Sequence, residues 1–242
     1  SIENLNLFSI SMSPTIAGDN MTSLFTVVRK PFHNVQLRNV RVAGWFGAAT
    51  VAAVNYSRIH DVYVSGSVNA TWMGGIVLFN HGEIRSVTAT IEITSQKVIL
   101  VEGFRGGIAG KNSGVISDSS FYGSIEGGSE IGGIAGINLG LINVSYAGYR
   151  LLKGDSVIGG IAGRNHKDGR IHGGRVGQGL IQVGRDGFGG GVTGSNAGII
   201  ERTEVAGTIC GSNFVRDITG EATTGSIVSA TKAKNTVLPS CD

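Results

Sequence analysis

Apolar residues in this chain return at fixed distances from an asparagine. Asn55, Asn80, Asn112, Asn138, Asn165 and Asn196 share one register, with steps of 25, 32, 26, 27 and 31 residues. Four residues before each stand Val51, Ile76, Ile108, Ile134, Ile161 and Val192. Four residues after it, or six in the copy with two extra residues, stand Ile59, Ile84, Ile116, Ile142, Ile171 and Ile200. Nine after, with the same correction, come Val64, Ala89, Phe121, Ala147, Val176 and Val205. Thirteen after come Val68, Ile93, Ile125, Leu151, Leu180 and Ile209. Apolar columns held through six copies mark an internal repeat.

The pattern inside each copy selects strands. Val62 to Val68 alternates apolar with small or polar residues, and so does Val87 to Ile93. A period of two, with β-branched residues enriched, reads as half-buried strand. A helix would be poor, because each glycine costs about 1 kcal/mol relative to Ala. One copy cannot bury its own apolar row, so the copies must stack, at roughly 4.8 Å per coil. The expected fold is all-β: a parallel β-helix (β-solenoid) of about seven to eight coils, with a period of roughly 25–32 residues.

The asparagines then have a structural task. Turns between strands leave backbone groups that must find partners, and one Asn amide supplies both donors and an acceptor. Stacked at one register, Asn55, Asn80, Asn112, Asn138, Asn165 and Asn196 are expected to bond as a ladder; a column of ligand-binding amides is the alternative. Gly82, Gly114, Gly140 and Gly198, two residues on, are expected at positive φ.

A family resemblance rests on these same residues. Gly106-Gly107-Ile108-Ala109-Gly110-Lys111-Asn112-Ser113-Gly114-Val115-Ile116 returns at 132–142, at 159–171 with an insertion, and more loosely at 190–200. This phrase followed by an alternating strand resembles the GLUG repeat of bacterial surface and secreted proteins, including adhesins. The resemblance covers roughly residues 44 to 210 and is weak at Val51 to Ile59, where Ala53 and Ser57 replace the turn glycines. It implies an extracellular scaffold, and it carries no catalytic residues to transfer.

The chain divides into 1–43 (partial coils and cap), 44–210 (solenoid repeats) and 211–242 (a degenerate last coil and tail), all one continuous domain. Ile2–Leu7 and Leu37–Val42 share a pattern, which puts His33 where other coils have Asn. Ile2–Leu7 reads as half an earlier coil, so either the solenoid continues before it or 12–28 folds over that end as a cap. Thr223-Thr224-Gly225-Ser226-Ile227 matches the turn phrase with Thr223 in the Asn place.

Composition narrows the partners. With 40 Gly yet 41% hydrophobic residues, the chain is apolar enough for a core and is not a disordered linker. A net charge of +3, with no basic run longer than Arg29-Lys30, argues against nucleic acid. No apolar run approaches the roughly 20 residues of a membrane span, and no signal-peptide pattern opens at Ser1.

Length varies at one place in the repeat, between each thirteenth-position residue and the next Gly-Gly. Variation confined to one register maps to loops along one edge, where solenoids often bind. The loop holding Val98–Val101 is the longest and is expected to add a strand. Trp72, Phe104 and Phe188 share one register there, with Glu130 and Val157 between them and Arg105 and Arg185 close by. Rings stack on sugars and Arg supplies charge-assisted hydrogen bonds, so these five residues form the candidate binding edge. The alternative is that the rings fill a corner of the core.

Other chemistry is sparse. His81 and His166 share a register but lie three coils apart, too far to share a metal. Asp155, Asp168, Asp186 and Asp217 never coincide in adjacent coils, so no catalytic cluster, metal site or cofactor is assigned. Cys210 and Cys241 are expected to form a disulfide if the protein is exported. Sequons stand at Asn20, Asn55, Asn69 and Asn143, and Asn55 is expected to stay bare in the ladder. The expected function is an extracellular or cell-surface structural or adhesive solenoid that displays its loop edge to a surface glycan or protein. The rivals are a carbohydrate-active enzyme (a polysaccharide lyase or hydrolase) and a filament subunit that associates end to end.

Overall fold

The computed structural model of the chain describes residues 1–13, 21–95, 103–211, 214–223, 225–229 and 231–241. These form an all-β parallel solenoid of about eight turns with no helix. Three sheets run its length: one of 16 strands and two of 8. The broad sheet carries the alternating runs, such as Arg58–Ala70, Glu83–Ser95 and Arg175–Val183. The first short sheet holds three-residue strands such as Trp72–Gly74, Phe104–Gly106 and Phe188–Gly190. The second holds the strands that end on Asn, such as Val77–Asn80 and Ala135–Asn138.

Stacking like residues on like builds the core. Ile59, Ile84, Ile116, Ile142, Ile171 and Ile200 lie in one paired column and are all fully buried. Val51, Ile76, Ile108, Ile134, Ile161 and Val192 are equally buried at the bend between the two short sheets. That bend needs glycine: a Cβ on Gly106 would collide with the Ala109 carbonyl, and one on Gly107 with the Phe121 ring. Burying about 25 cal/mol of stabilisation per Å² of apolar surface therefore rests on residues without side chains at each sharp bend.

Several sequence expectations need correction, and each has a local cause. The thirteenth-position column runs through Leu152 and Ile181, not Leu151 and Leu180. Each of these coils carries one extra residue, between Ala147 and Leu151 in one and between Val176 and Gly179 in the other. Val28, not His33, is paired with Asn55. His33 belongs to the broad sheet, where its ring stacks on His60 at 4.7 Å. Ile2–Phe8 pairs with Phe32–Arg38, five residues from the expected match. Of the expected cap 12–28, Met21–Thr22 and Phe25–Val28 instead continue the two short sheets. At the other end Ala222, not Thr223, pairs with Asn196. The expected strand at Val98–Val101 and the sequon residue Asn20 lie outside the described residues.

The glycines after each Asn do not have positive φ. A Cβ at Gly82, Gly114, Gly140 or Gly198 would strike a carbonyl of the preceding coil, so close stacking requires them. Positive φ is found instead at a bend in the broad sheet. Asn34, Asp61, Ser86, Asp118, Val144, Gly173 and Arg202 all adopt φ between 44° and 65° there.

Candidate functional site

The first short sheet places its outer column in the order Trp72, Phe104, Glu130, Val157, Phe188, Phe214. Strand alternation decides which residues face out. Met73, Arg105, Ile131 and Ile158, one position on, point inward and are buried. Trp72, Phe104 and Phe188 are half-buried and lie outside the core cluster.

Stacking coils brings two of these rings together. Trp72 and Phe104 lie 5.7 Å apart at an interplanar angle of 12°. Phe79, on the outer side of the second short sheet, meets Phe104 edge-on at 5.7 Å. The two short sheets thus approach each other on the outside. A Cβ on Gly110 would touch both the Phe104 ring and the Met73 carbonyl. One coil further, Arg164 Nε donates to Glu130 Oε1 at 2.7 Å across the same seam. Between rings and ion pair lies a hollow of about 240 Å³, edged by Trp72, Phe104, Ser129, Glu130, Ser156 and Arg164. This patch offers flat apolar faces beside a carboxylate, a guanidinium and two hydroxyls, a combination suited to a sugar ring.

Phe188 stands three coils from Phe104 and packs on Phe214 at 5.0 Å, forming a second, smaller aromatic pair. Arg185 lies in the exposed turn just before Phe188, where Gly187 N–H donates to the Gly184 carbonyl at 3.1 Å. It accompanies the Phe188 pair and not the Trp72 patch.

Arg105 does not belong to the edge. It shares a column with Met73 and Ile131 and is 1% exposed. Its Nη2 donates to Ser95 Oγ at 3.0 Å, while Nε and Nη1 meet no hydrogen-bond partner among the described residues. Burial lowers its pKa to about 10, and the charge of Asp155 opposes that shift. Alternation turned this side chain inward although its neighbour Phe104 points out.

The asparagine column is a continuous ladder. Each Nδ2 donates to the Oδ1 of the next residue, from Asn55 to Asn80, Asn112, Asn138, Asn165 and Asn196, at 2.8–2.9 Å. All six side chains are fully buried, and Asn138 also donates to its own Gly140 carbonyl at 3.1 Å. With every amide group engaged inside the ladder, the column has no surface to offer a ligand, and Asn55 is inaccessible to modification.

Phe79, Phe214 and the partner of Glu130 escaped the sequence reading. Phe79 and Arg164 share the position just before each Asn, a column of Val54, Phe79, Lys111, Ile137, Arg164 and Ser195 whose mixed chemistry hides its common direction. Phe214 precedes no Gly-Gly pair, unlike Trp72, Phe104 and Phe188. His81 stacks on Tyr56 at 5.1 Å, and His166 Nδ1 lies 3.5 Å from Asp168. Among the described residues no three His, Cys, Asp or Glu converge to hold a metal, and no helix is long and apolar enough to cross a membrane. Cys210 and Cys241 are joined as a disulfide. A scan of protein-family models and a search of curated proteins each find no match to this chain.

Proposed function

We propose that this chain is an extracellular, GLUG-type solenoid scaffold that binds a surface glycan along the outer seam of its two short sheets. One observation carries the reading: Trp72 and Phe104 stack in parallel on the outside, beside a hollow edged by the Glu130–Arg164 pair. Rings that served only the core would point inward with Met73 and Ile131; these do not. A flat hydrophobic platform next to a paired carboxylate and guanidinium matches a sugar, whose apolar face stacks while its hydroxyls bond. The disulfide fits an oxidising, exported setting, and the repeat phrase fits a surface protein. The solenoid holds the platform rigid, which lowers the entropy cost of binding.

A glycan-array screen identifies the sugar, and Trp72→Ala with Phe104→Ala tests the site. The double variant is expected to lose at least about tenfold in affinity while melting within a few degrees of the parent. A collapse in melting temperature places the rings in the structural core and refutes the platform. Normal melting with unchanged affinity makes the seam a bystander.

A further inference from the structure

A second feature lies on another side of the rod. On the outer surface of the broad sheet, two hollows of about 380 and 680 Å³ share Gln178, Ala206 and Lys234 and so form one trough. Its floor is made of missing side chains. Gly148, Gly177 and Ala206 occupy outward positions, one above another, where the coil before carries Tyr122 and the last strand carries Lys234. Tyr146 lies across this floor: a Cβ on Gly148 would strike its ring, and one on Gly177 its hydroxyl. Tyr122 packs on Tyr146 at 5.7 Å and closes one end.

The walls are basic. Arg150, Arg175, Lys232 and Lys234 line the trough against the single carboxylate of Glu204, an excess of three that equals the +3 of the entire chain. Arg175 lies 3.5 Å from Glu204, and Arg150 is paired with Glu92. Lys232 and Lys234 enter no ion pair among the described residues, although both are exposed at the rim. The disulfide tethers the strand that carries them, Lys232–Leu238, to the strand Glu204–Cys210 beside it.

We infer that this trough binds an acidic polysaccharide, a chain bearing carboxylate or sulfate groups, along the solenoid axis. Three features select that class. Arg175 and Lys232 share one column two coils apart, with Glu204 between them, a spacing of roughly 9–10 Å that matches about two sugar units of an extended polymer. The half-buried Tyr146 ring gives one sugar a stacking face. The floor strand Arg175–Val183 is paired on both sides, so among the described residues a peptide could add only at the open edge of Lys232–Leu238, at the end of the sheet and off the trough floor. The inference does not rest on the aromatic seam, which lies on a different sheet.

Binding of the full chain to polygalacturonate, chondroitin sulfate and neutral dextran, measured by calorimetry at low and raised salt, tests it. At least one acidic polymer is expected to bind, dextran is not, and raised salt is expected to weaken the complex. Lys232→Gln with Lys234→Gln, both exposed, should reduce affinity about tenfold, and Tyr146→Ala should reduce it further. Trp72→Ala with Phe104→Ala, and the remote pair Lys111→Gln with Lys167→Gln, should leave it unchanged. Indifference to Lys232 and Lys234, an equal loss in the remote pair, equal binding of dextran, or no binding of either acidic polymer would each overturn the inference.

Discussion

The asparagine corner and the aromatic seam occupy neighbouring strands of the same coils, yet they are built on opposite principles. At the corner, six coils carry the same residue, fully buried and bonded to its own kind above and below. At the seam, six successive coils carry Trp72, Phe104, Glu130, Val157, Phe188 and Phe214. Stacking imposes the same geometry on both columns, so geometry alone does not explain the difference. An inward amide needs buried partners for all its groups, here the next amide in the stack together with backbone carbonyls such as that of Gly140, whereas an outward residue has water to complete its contacts. Repetition is therefore the mark of mutual dependence, and variety marks a surface free to take on a ligand.

The largest expected effect breaks the corner. Removing the Asn138 side chain strips Asn112 Nδ2 of its acceptor and Asn165 Oδ1 of its donor. At roughly 1–3 kcal/mol per buried group left unsatisfied, Asn138→Ala should destabilise by about 2–6 kcal/mol. Asn196→Ala, at the ladder's end, breaks one amide–amide bond instead of two, although it also strips the Gly198 N–H of its acceptor, and should cost less. Asn138→Asp should exceed the alanine at neutral pH, because it buries a charge. Denaturant titration of the three variants checks the order, and equal effects at 138 and 196 would dismiss the ladder as a cooperative unit.

A smaller effect of opposite sign is expected at Arg105, the one member of the inward column that disobeys its neighbours. Its pKa is depressed to about 10, well below an arginine's usual value, so the charged form is disfavoured on folding. Because the folded value lies below the unfolded one, the penalty is complete below about pH 10 and is relieved only as pH rises from there towards the unfolded value. Arg105→Met, matching Met73 in the coil before, should stabilise by about 1–3 kcal/mol, in line with other replacements of buried ions by apolar residues. The gain should be constant from pH 6 to about 9. A destabilised variant would show that the Ser95 contact and the charge of Asp155 outweigh burial.

Much of the coil was readable because its signals are periodic. Strand type, parallel stacking and the buried Ile and Asn columns follow from spacing alone, and spacing survives any change in the outward residues. Legibility failed where one physical role passes between residue types. Val62 and Val87 fill the same inward position as Ser119, Ser145 and Thr203. The hydroxyls repay burial by bonding to the carbonyl two residues back, as Ser119 does to Ser117 at 2.7 Å. Nothing in the pattern of apolar residues announces that switch. The positive-φ bend beside it is filled by Asn, Asp, Ser, Val, Gly and Arg, since the fold fixes the backbone and tolerates the side chain. Arg105 lies next to Phe104 in sequence but on the other face of the strand, because adjacent residues in a strand face opposite ways.

The smallest expected effect lies on the seam itself. Arg164 and Glu130 join the two short sheets, but both side chains keep solvent contact, at 44% and 21% exposure. Water competes for such a pair, so its coupling should be only about 0.2–1 kcal/mol, and it should fade with added salt. A double-mutant cycle with Arg164→Gln and Glu130→Gln measures it in thermal or denaturant unfolding. The same four proteins, assayed for glycan binding, ask a separate question of the same two residues. If the pair orients a sugar beside Trp72 and Phe104, affinity should fall by more than stability does, because each charged group donates or accepts a bond that water cannot replace in the complex. A coupling above about 2 kcal/mol in unfolding would instead make the seam a structural joint like the corner. The contrast between a self-satisfied column and an open one would then have to be redrawn at Phe188 and Phe214, two and three coils beyond Glu130.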